Sequence, residues 1–211
     1  MEQTAHLWLF FVLVFGVVVL PGLDMAFVLA SSLTGGRKGG LSAVAGIIAG
    51  GACHVAAGAT GVAVLLKVVP SAFNALLWMG ALYVAWMGIS IFRSGAAFSA
   101  APLGDRLTPA ATFRRGVLTC LLNPKAYVFM LAVFPQFVRP EYGPLWIQAL
   151  VLGAIIAITQ GAVYGAIALA AGRARGWLES NPAANVAAVR VVGGLMTLAA
   201  AVTVLEGWRS V

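Results

Sequence analysis

Apolar residues run along this chain in stretches too long for the core of a soluble domain, separated by short polar or Gly-rich interruptions. A helix needs about 20 mostly apolar residues to cross the hydrocarbon layer of a bilayer. Six stretches meet that length: Leu7 to Leu33, Leu41 to Leu66, Phe73 to Phe92, Phe113 to Val138, Leu145 to Ala171 and Val186 to Leu205. The pattern predicts an all-α integral membrane protein with six transmembrane helices, forming a single transmembrane domain over residues 1–211. The one extended polar stretch, Arg93 to Arg115, reads as a cytoplasmic loop (94–112) between a first group of three helices (1–93) and a second (113–211).

Two of the six stretches carry a helix breaker beside an ionisable residue. These are Pro21-Gly22-Leu23-Asp24 in the first and Asn123-Pro124-Lys125 in the fourth. Proline lacks a backbone N–H and clashes with the preceding turn, so a helix breaks there and leaves carbonyl groups without partners. In hydrocarbon such groups are tolerated only where they face protein or a cavity. Broken helices in corresponding places of two halves are the sequence mark of a transporter binding site. Three spans per half, an odd number, inserts the second half upside down relative to the first. The expected arrangement is therefore two inverted three-helix repeats, with the first and fourth helices broken at proline.

Composition agrees with a membrane setting: 62% of the 211 residues are hydrophobic and 9% charged, and the mean hydropathy is +0.99. The formal charge of +7 does not indicate nucleic acid, because the basic residues are scattered over loops and form no stripe interleaved with aromatics. Topogenesis accounts for them. Arg37 and Lys38, then Arg93, Arg106, Arg114 and Arg115, then Arg173, Arg175 and Arg190 follow the odd-numbered spans, whereas Lys67, Arg139 and Arg209 lie on the other side. The positive-inside rule then puts both termini outside. Without a basic start or an Ala-x-Ala-like cleavage site, the first span is expected to be retained.

Several segments together resemble one family. Pro21-Gly22-Leu23-Asp24, Gly35 to Gly40 (GGRKGG), Ala52-Cys53-His54, Leu77 to Gly88 (LWMGALYVAWMG) and above all Asn123 to Val138 (NPKAYVFMLAVFPQFV) are similar to the LysE/RhtB family of bacterial amino-acid exporters and occur in that family's order. Many members read Pro-Gly-Pro in the first motif; this chain has Leu23 at the second proline, which bears on how sharply the first helix breaks. The resemblance implies efflux of small amino acids or their derivatives across the bacterial inner membrane, driven by the proton motive force without ATP, with no cofactor and no enzymatic step.

The residues point the same way. An amino acid is a zwitterion, so a site at mid-membrane needs a group for an ammonium and one for a carboxylate. Asp24 and Lys125 are the carboxylate and amine expected deep within the spans. Each would cost about 2.5–3.5 kcal/mol at a helix centre facing lipid. Architectural readings compete. Asp24 in a first helical turn would satisfy free N–H groups and the positive end of the helix dipole, and Asn123-Pro124 reads as an N-cap followed by proline at the first helical position. Lys125 differs, because a cation in a first turn opposes the dipole and asks for anionic compensation, unless it snorkels to a cytoplasmic end. The expectation is that Lys125 pairs with Asp24 when the site is empty and that the two part onto the substrate when it is full. Pro21, Gly22, Asn123 and Pro124 shape the same substrate site.

His54 is the natural candidate for proton coupling, since imidazole is the side chain that ordinarily changes charge between about pH 5 and 8; an interhelical hydrogen bond is its plainer role. Thr159, Gln160 and Tyr164 fall at near-helical spacing in the fifth span and either line a cavity or join helices. Gly46-x-x-x-Gly50 and Gly161-x-x-x-Gly165 permit close helix approach, leaving open packing within one subunit or the face of a homodimer. Gly35 to Gly40 lacks the Gly-Lys-Ser/Thr ending of a P-loop and reads as a tight cytoplasmic turn.

Two other classes compete. A membrane thiol-disulfide relay would use Cys53 and Cys120, but these sit in non-equivalent spans and neither adjoins proline. An exporter of a metal or inorganic cation would need several carboxylate, imidazole or thiolate ligands converging, whereas the spans offer Asp24, His54 and two cysteines, with Lys125 repelling. The expected cargo is a small neutral amino acid such as threonine or homoserine. Lysine would want a second acid.

Overall fold

In the computed structural model the described residues are 2–20, 22–60 and 108–184, with isolated positions between 78 and 89 and between 186 and 201. The end of the expected second span beyond residue 60, most of the 94–112 loop and Pro21 lie outside the described residues, and the third and sixth spans are described only at isolated positions.

All regular structure among the described residues is helical. Helix α1 (Glu2–Val19) ends where the sequence places Pro21, and α2 (Leu23–Ala59) begins two residues later. Gly22 stands at the junction with extended backbone (φ −172°, ψ −167°) and caps α2 without a side-chain hydrogen bond, leaving Asp24 in the first turn. The first apolar stretch is therefore two helical pieces, despite Leu23 standing at the second proline position.

Helix α2 is a hairpin and not a 37-residue rod. Gly36 has φ 62° and ψ −160°, a backbone that residues with a Cβ rarely adopt. Residues eight apart on a straight helix are separated by about 12 Å of rise. Here a Cβ on Gly39 would lie 2.6 Å from the Ser31 carbonyl oxygen, so the 23–35 and 37–59 arms fold back on each other. The Gly35 to Gly40 segment is thus the tight turn its composition indicates.

Helix α3 (Pro109–Leu121) starts four residues ahead of the predicted Phe113 and takes in the end of the expected loop, because Thr108 accepts from Ala111 N–H at 3.2 Å and Pro109 occupies the first turn. After a break at Leu122 and Asn123 comes α4 (Pro124–Ala132), capped by the Asn123 carboxamide oxygen, which accepts from Lys125 N–H at 3.0 Å. Two 3-10 turns follow, Phe134–Phe137 and Pro140–Tyr142. Gln148 ties this segment down, donating to the Arg139 and Gly143 carbonyls at 2.8 and 2.7 Å and accepting from Arg139 N–H at 3.0 Å.

Helix α5 (Leu145–Ser180) has 36 residues, about 54 Å at 1.5 Å per residue. It outruns a hydrocarbon layer of about 30 Å, so its last turns, with Arg173 and Trp177, project beyond the apolar part. Helix α2 packs mainly against α3 and α5. Its contact with α3 is backbone to backbone: a Cβ on Gly116 would stand 2.8 Å from the Ala43 carbonyl, and one on Gly46 would overlap the Phe113 carbonyl. Gly46 and Gly50 therefore serve packing within the chain. Phe10, Val28, Ile47 and Leu152 form the interior, while Trp8, Leu150 and Ile158 turn outward with more than half their surface open, as lipid-facing residues do.

Candidate functional site

The two helix breaks meet at one place, and each is completed by a side chain from the other half of the sequence. In an unbroken helix the carbonyl of residue i accepts from the N–H of residue i+4. Position 21, four beyond Val17, is a proline with no N–H to give. The Val17 carbonyl instead accepts from the Lys125 ammonium at 3.0 Å, and the Leu20 carbonyl accepts from the same ammonium at 3.0 Å. Position 124, four beyond Cys120, is likewise proline. The Cys120 carbonyl accepts from the Asn123 N–H at 3.0 Å and from the His54 imidazole, with Nε2 at 3.0 Å. That contact leaves Nε2 as the protonated nitrogen, and the ring packs edge-on to Tyr127 at 4.7 Å between centroids.

Gly22 makes the first of these contacts possible: a Cβ there would lie 3.1 Å from Lys125 Nζ. The expected Asp24–Lys125 ion pair is not formed. Lys125 binds carbonyls because the break supplies two, and the negative end of α1's dipole points at the ammonium as well. The ion pair among the described residues is Arg139–Glu141 at 3.6 Å, at the surface. Asp24 keeps the Asn123 carboxamide beside it and the Lys125 charge nearby. Even so, Asp24 Oδ1 and Asn123 Nδ2 are both buried with no completed hydrogen bond, as is Gln160 Oε1.

These groups line one small cavity of about 60 Å³, open on one side. Asp24, His54, Asn123, Lys125, Gln160 and Tyr164 all face it, and Val14, Val18, Phe129, Met130 and Ile156 supply an apolar wall. The sequence named the polar members, and the structure brings them together from α2, α4, α5 and the second break. Thr159 is not among the lining residues. Its hydroxyl donates to the Ile155 carbonyl in its own helix at 2.7 Å. Gly22 acts from behind Lys125, and Pro124 holds the first turn of α4.

The apolar wall and the backbone carbonyls went unread in the sequence. The carbonyls had a signal: subtracting four from each proline position gives Val17 and Cys120. The wall had none, since its residues are ordinary span residues. Cys120 faces the cavity while Cys53 is exposed, and both thiols are free. No group of three potential metal ligands occurs among the described residues.

The cavity has a polar pole with both hydrogen-bond senses unsatisfied. Asp24 Oδ1 and Gln160 Oε1 accept; Asn123 Nδ2 donates, and an ammonium has three N–H bonds of which Lys125 spends two on carbonyls. Unpaired buried groups of this kind cost about 1–3 kcal/mol each, so the arrangement suits a ligand that carries both donors and acceptors.

Comparison with known proteins follows the same line. The model of the LysE type translocator family matches residues 14–207. An uncharacterized membrane protein of Vibrio cholerae serotype O1 is 37% identical over 79% of this chain and 82% of its own length. A homoserine/homoserine lactone efflux protein of Salmonella typhimurium is 30% identical over 86% of this chain and 87% of its own. A leucine efflux protein of Salmonella choleraesuis is 33% identical over 62% of each. No solved structure matches the chain.

Proposed function

Since the chain belongs to the LysE type translocator family, we propose that it is a secondary active exporter of small neutral amino acids or their derivatives, driven by the proton motive force across the bacterial inner membrane. The efflux activities named for its relatives support an amino-acid cargo. The carrying observation is the cavity's polar pole, where a carboxylate oxygen and an amide N–H, both buried and unpartnered, sit beside an ammonium.

An amino-acid zwitterion complements that pole. Its ammonium goes to Asp24 Oδ1, and its carboxylate goes to Asn123 Nδ2 and to the Lys125 ammonium. Pro21 and Pro124 serve by breaking the helices, and Gly22 by admitting Lys125. The side chain of the cargo lies against Phe129, Met130 and Ile156, which favours a neutral residue over a second charge. Lys125 exchanges between break carbonyls and cargo carboxylate, so its charge is met throughout the cycle. His54, on the wall of the same cavity, is assigned to proton coupling. The architecture that accommodates this is six spans in two inverted three-helix repeats with both termini outside, since two proline breaks completed from opposite halves are what such a repeat would produce.

The test is efflux of a panel of radiolabelled amino acids from cells expressing the protein, with and without an uncoupler. Uncoupler-sensitive export of one or a few neutral amino acids is expected, and it should vanish in Lys125→Ala and Asp24→Asn while both variants remain in the membrane. Normal export by Asp24→Asn would remove the ammonium site from the reading. Export that persists in uncoupled cells would remove the proton motive force.

A further inference from the structure

The third orphaned polar group in the cavity belongs to Gln160. Its side chain is 7% exposed, its Oε1 is buried without a partner, and it faces the cavity from α5. Room for it is left by Gly51 on α2, where a Cβ would stand 3.1 Å from Oε1 and 3.6 Å from Nε2. Tyr164, one turn further along the same face of α5, lines the same cavity as Asp24. A buried amide oxygen left open in an apolar site is costly unless a ligand donor completes it.

We infer that Gln160 is a specificity-determining residue whose amide oxygen accepts a second N–H of the cargo's ammonium, so that the transporter selects zwitterions bearing at least two N–H bonds and rejects fully N-alkylated ones. The inference rests on the amino-acid reading above and narrows it. Asp24 supplies charge, which a quaternary ammonium would also satisfy; a pair of acceptors set on one nitrogen asks for N–H bonds. A site built around hydrogen bonds discriminates strongly against an analogue that lacks them, because its own polar groups are then left unpaired.

The measurement is displacement of radiolabelled leucine and homoserine from the purified full-length protein by the parent amino acids and by their N-methyl and N,N,N-trimethyl derivatives. For the wild type the trimethyl compounds should bind at least about 10-fold more weakly than the parents. Gln160→Met keeps length and apolar bulk but cannot accept. It should weaken the parents about 10-fold and leave the trimethyl compounds nearly unchanged, narrowing the ratio. Gln160→Glu should retain the parents. Where Gln160→Met does not fold, Gly51→Ala crowds the same oxygen and should narrow the ratio in the same sense. An unchanged ratio in the folded Gln160→Met or Gly51→Ala protein overturns the assignment. So does loss of the parents in Gln160→Glu with retention in Gln160→Met, since the amide would then face the cargo carboxylate. If neither leucine nor homoserine binds the wild type, the amino-acid reading itself falls and this inference with it.

Discussion

The two helix breaks are built from the same fault and repaired differently. At each, a proline withholds an N–H from the carbonyl four residues earlier, and a side chain from the other half of the sequence supplies the missing donor. At the second break the new helix is also capped by Asn123, which accepts from Lys125 N–H, and Pro124 opens its first turn. At the first, Gly22 gives no side-chain cap, and Lys125 alone holds the Val17 and Leu20 carbonyls. The second break is closed by several local contacts; the first depends on one mobile-headed side chain with an N–H to spare. On the proposed reading, a substrate that recruits Lys125 would act on the first break.

The largest effect should follow from removing that side chain. Lys125→Ala leaves two carbonyls without donors, at about 1–3 kcal/mol each where buried, and should lower the melting temperature as well as abolish export. Adding Pro21→Ala returns an N–H to the Val17 carbonyl. The double variant should regain part of the lost thermal stability while export stays absent. Rescue of stability without rescue of transport separates the two roles of Lys125. If Pro21→Ala restores neither, the carbonyls are not what the ammonium stabilises.

At the second break the effect should be smaller, because other contacts share the work. His54→Leu removes the side-chain donor of the Cys120 carbonyl, which keeps the Asn123 N–H at 3.0 Å, and should cost about 1 kcal/mol. His54→Gln keeps an N–H donor at that reach, so its stability should stay near that of the wild type. Export by His54→Gln under an imposed pH gradient then reports on proton coupling alone: loss of the gradient dependence is expected, and its survival would reassign the role. Asn123→Asp retains the cap oxygen but deletes the Nδ2 donor and adds a charge beside Asp24. It should export poorly and fold less stably than the wild type, because it buries a second carboxylate beside Asp24. Asn123→Ala should lose about 1 kcal/mol of stability through the cap as well.

Much of this was legible in the sequence, for reasons that differ by residue. The breaks, the turn at Gly35 to Gly40 and the Asn123 cap follow from local chemistry: a missing N–H, a glycine that accepts positive φ, an amide placed before proline. Asp24, His54, Lys125, Gln160 and Tyr164 could be named because polar groups are expensive in a hydrocarbon setting and so stand out. Their convergence was not legible, since it depends on how α2, α4 and α5 pack. The ion pair between Asp24 and Lys125 was expected because a cation in a first helical turn asks for an anion, and the backbone intervened: two freed carbonyls at 3.0 Å from Nζ take the ammonium instead. Side-chain arithmetic misses such competitors because every residue carries a carbonyl, and only the prolines mark which ones are free.

Thr159 is the control for that argument and carries the smallest expected effect. It is buried, polar and adjacent in sequence to Gln160, so by composition it belongs with the site residues. Its hydroxyl nevertheless donates to Ile155 at 2.7 Å within α5, a local bond that takes up its one donor. Thr159→Val preserves the side chain's shape and removes that bond together with both of its polar partners' need for each other, save an Ile155 carbonyl that keeps its helical N–H. Stability should shift by less than about 1 kcal/mol and export kinetics should be unchanged. A strong transport defect in Thr159→Val would mean that the cavity extends past Gln160 along α5, and that the division between buried polar groups with partners and those without does not separate structure from function in this protein.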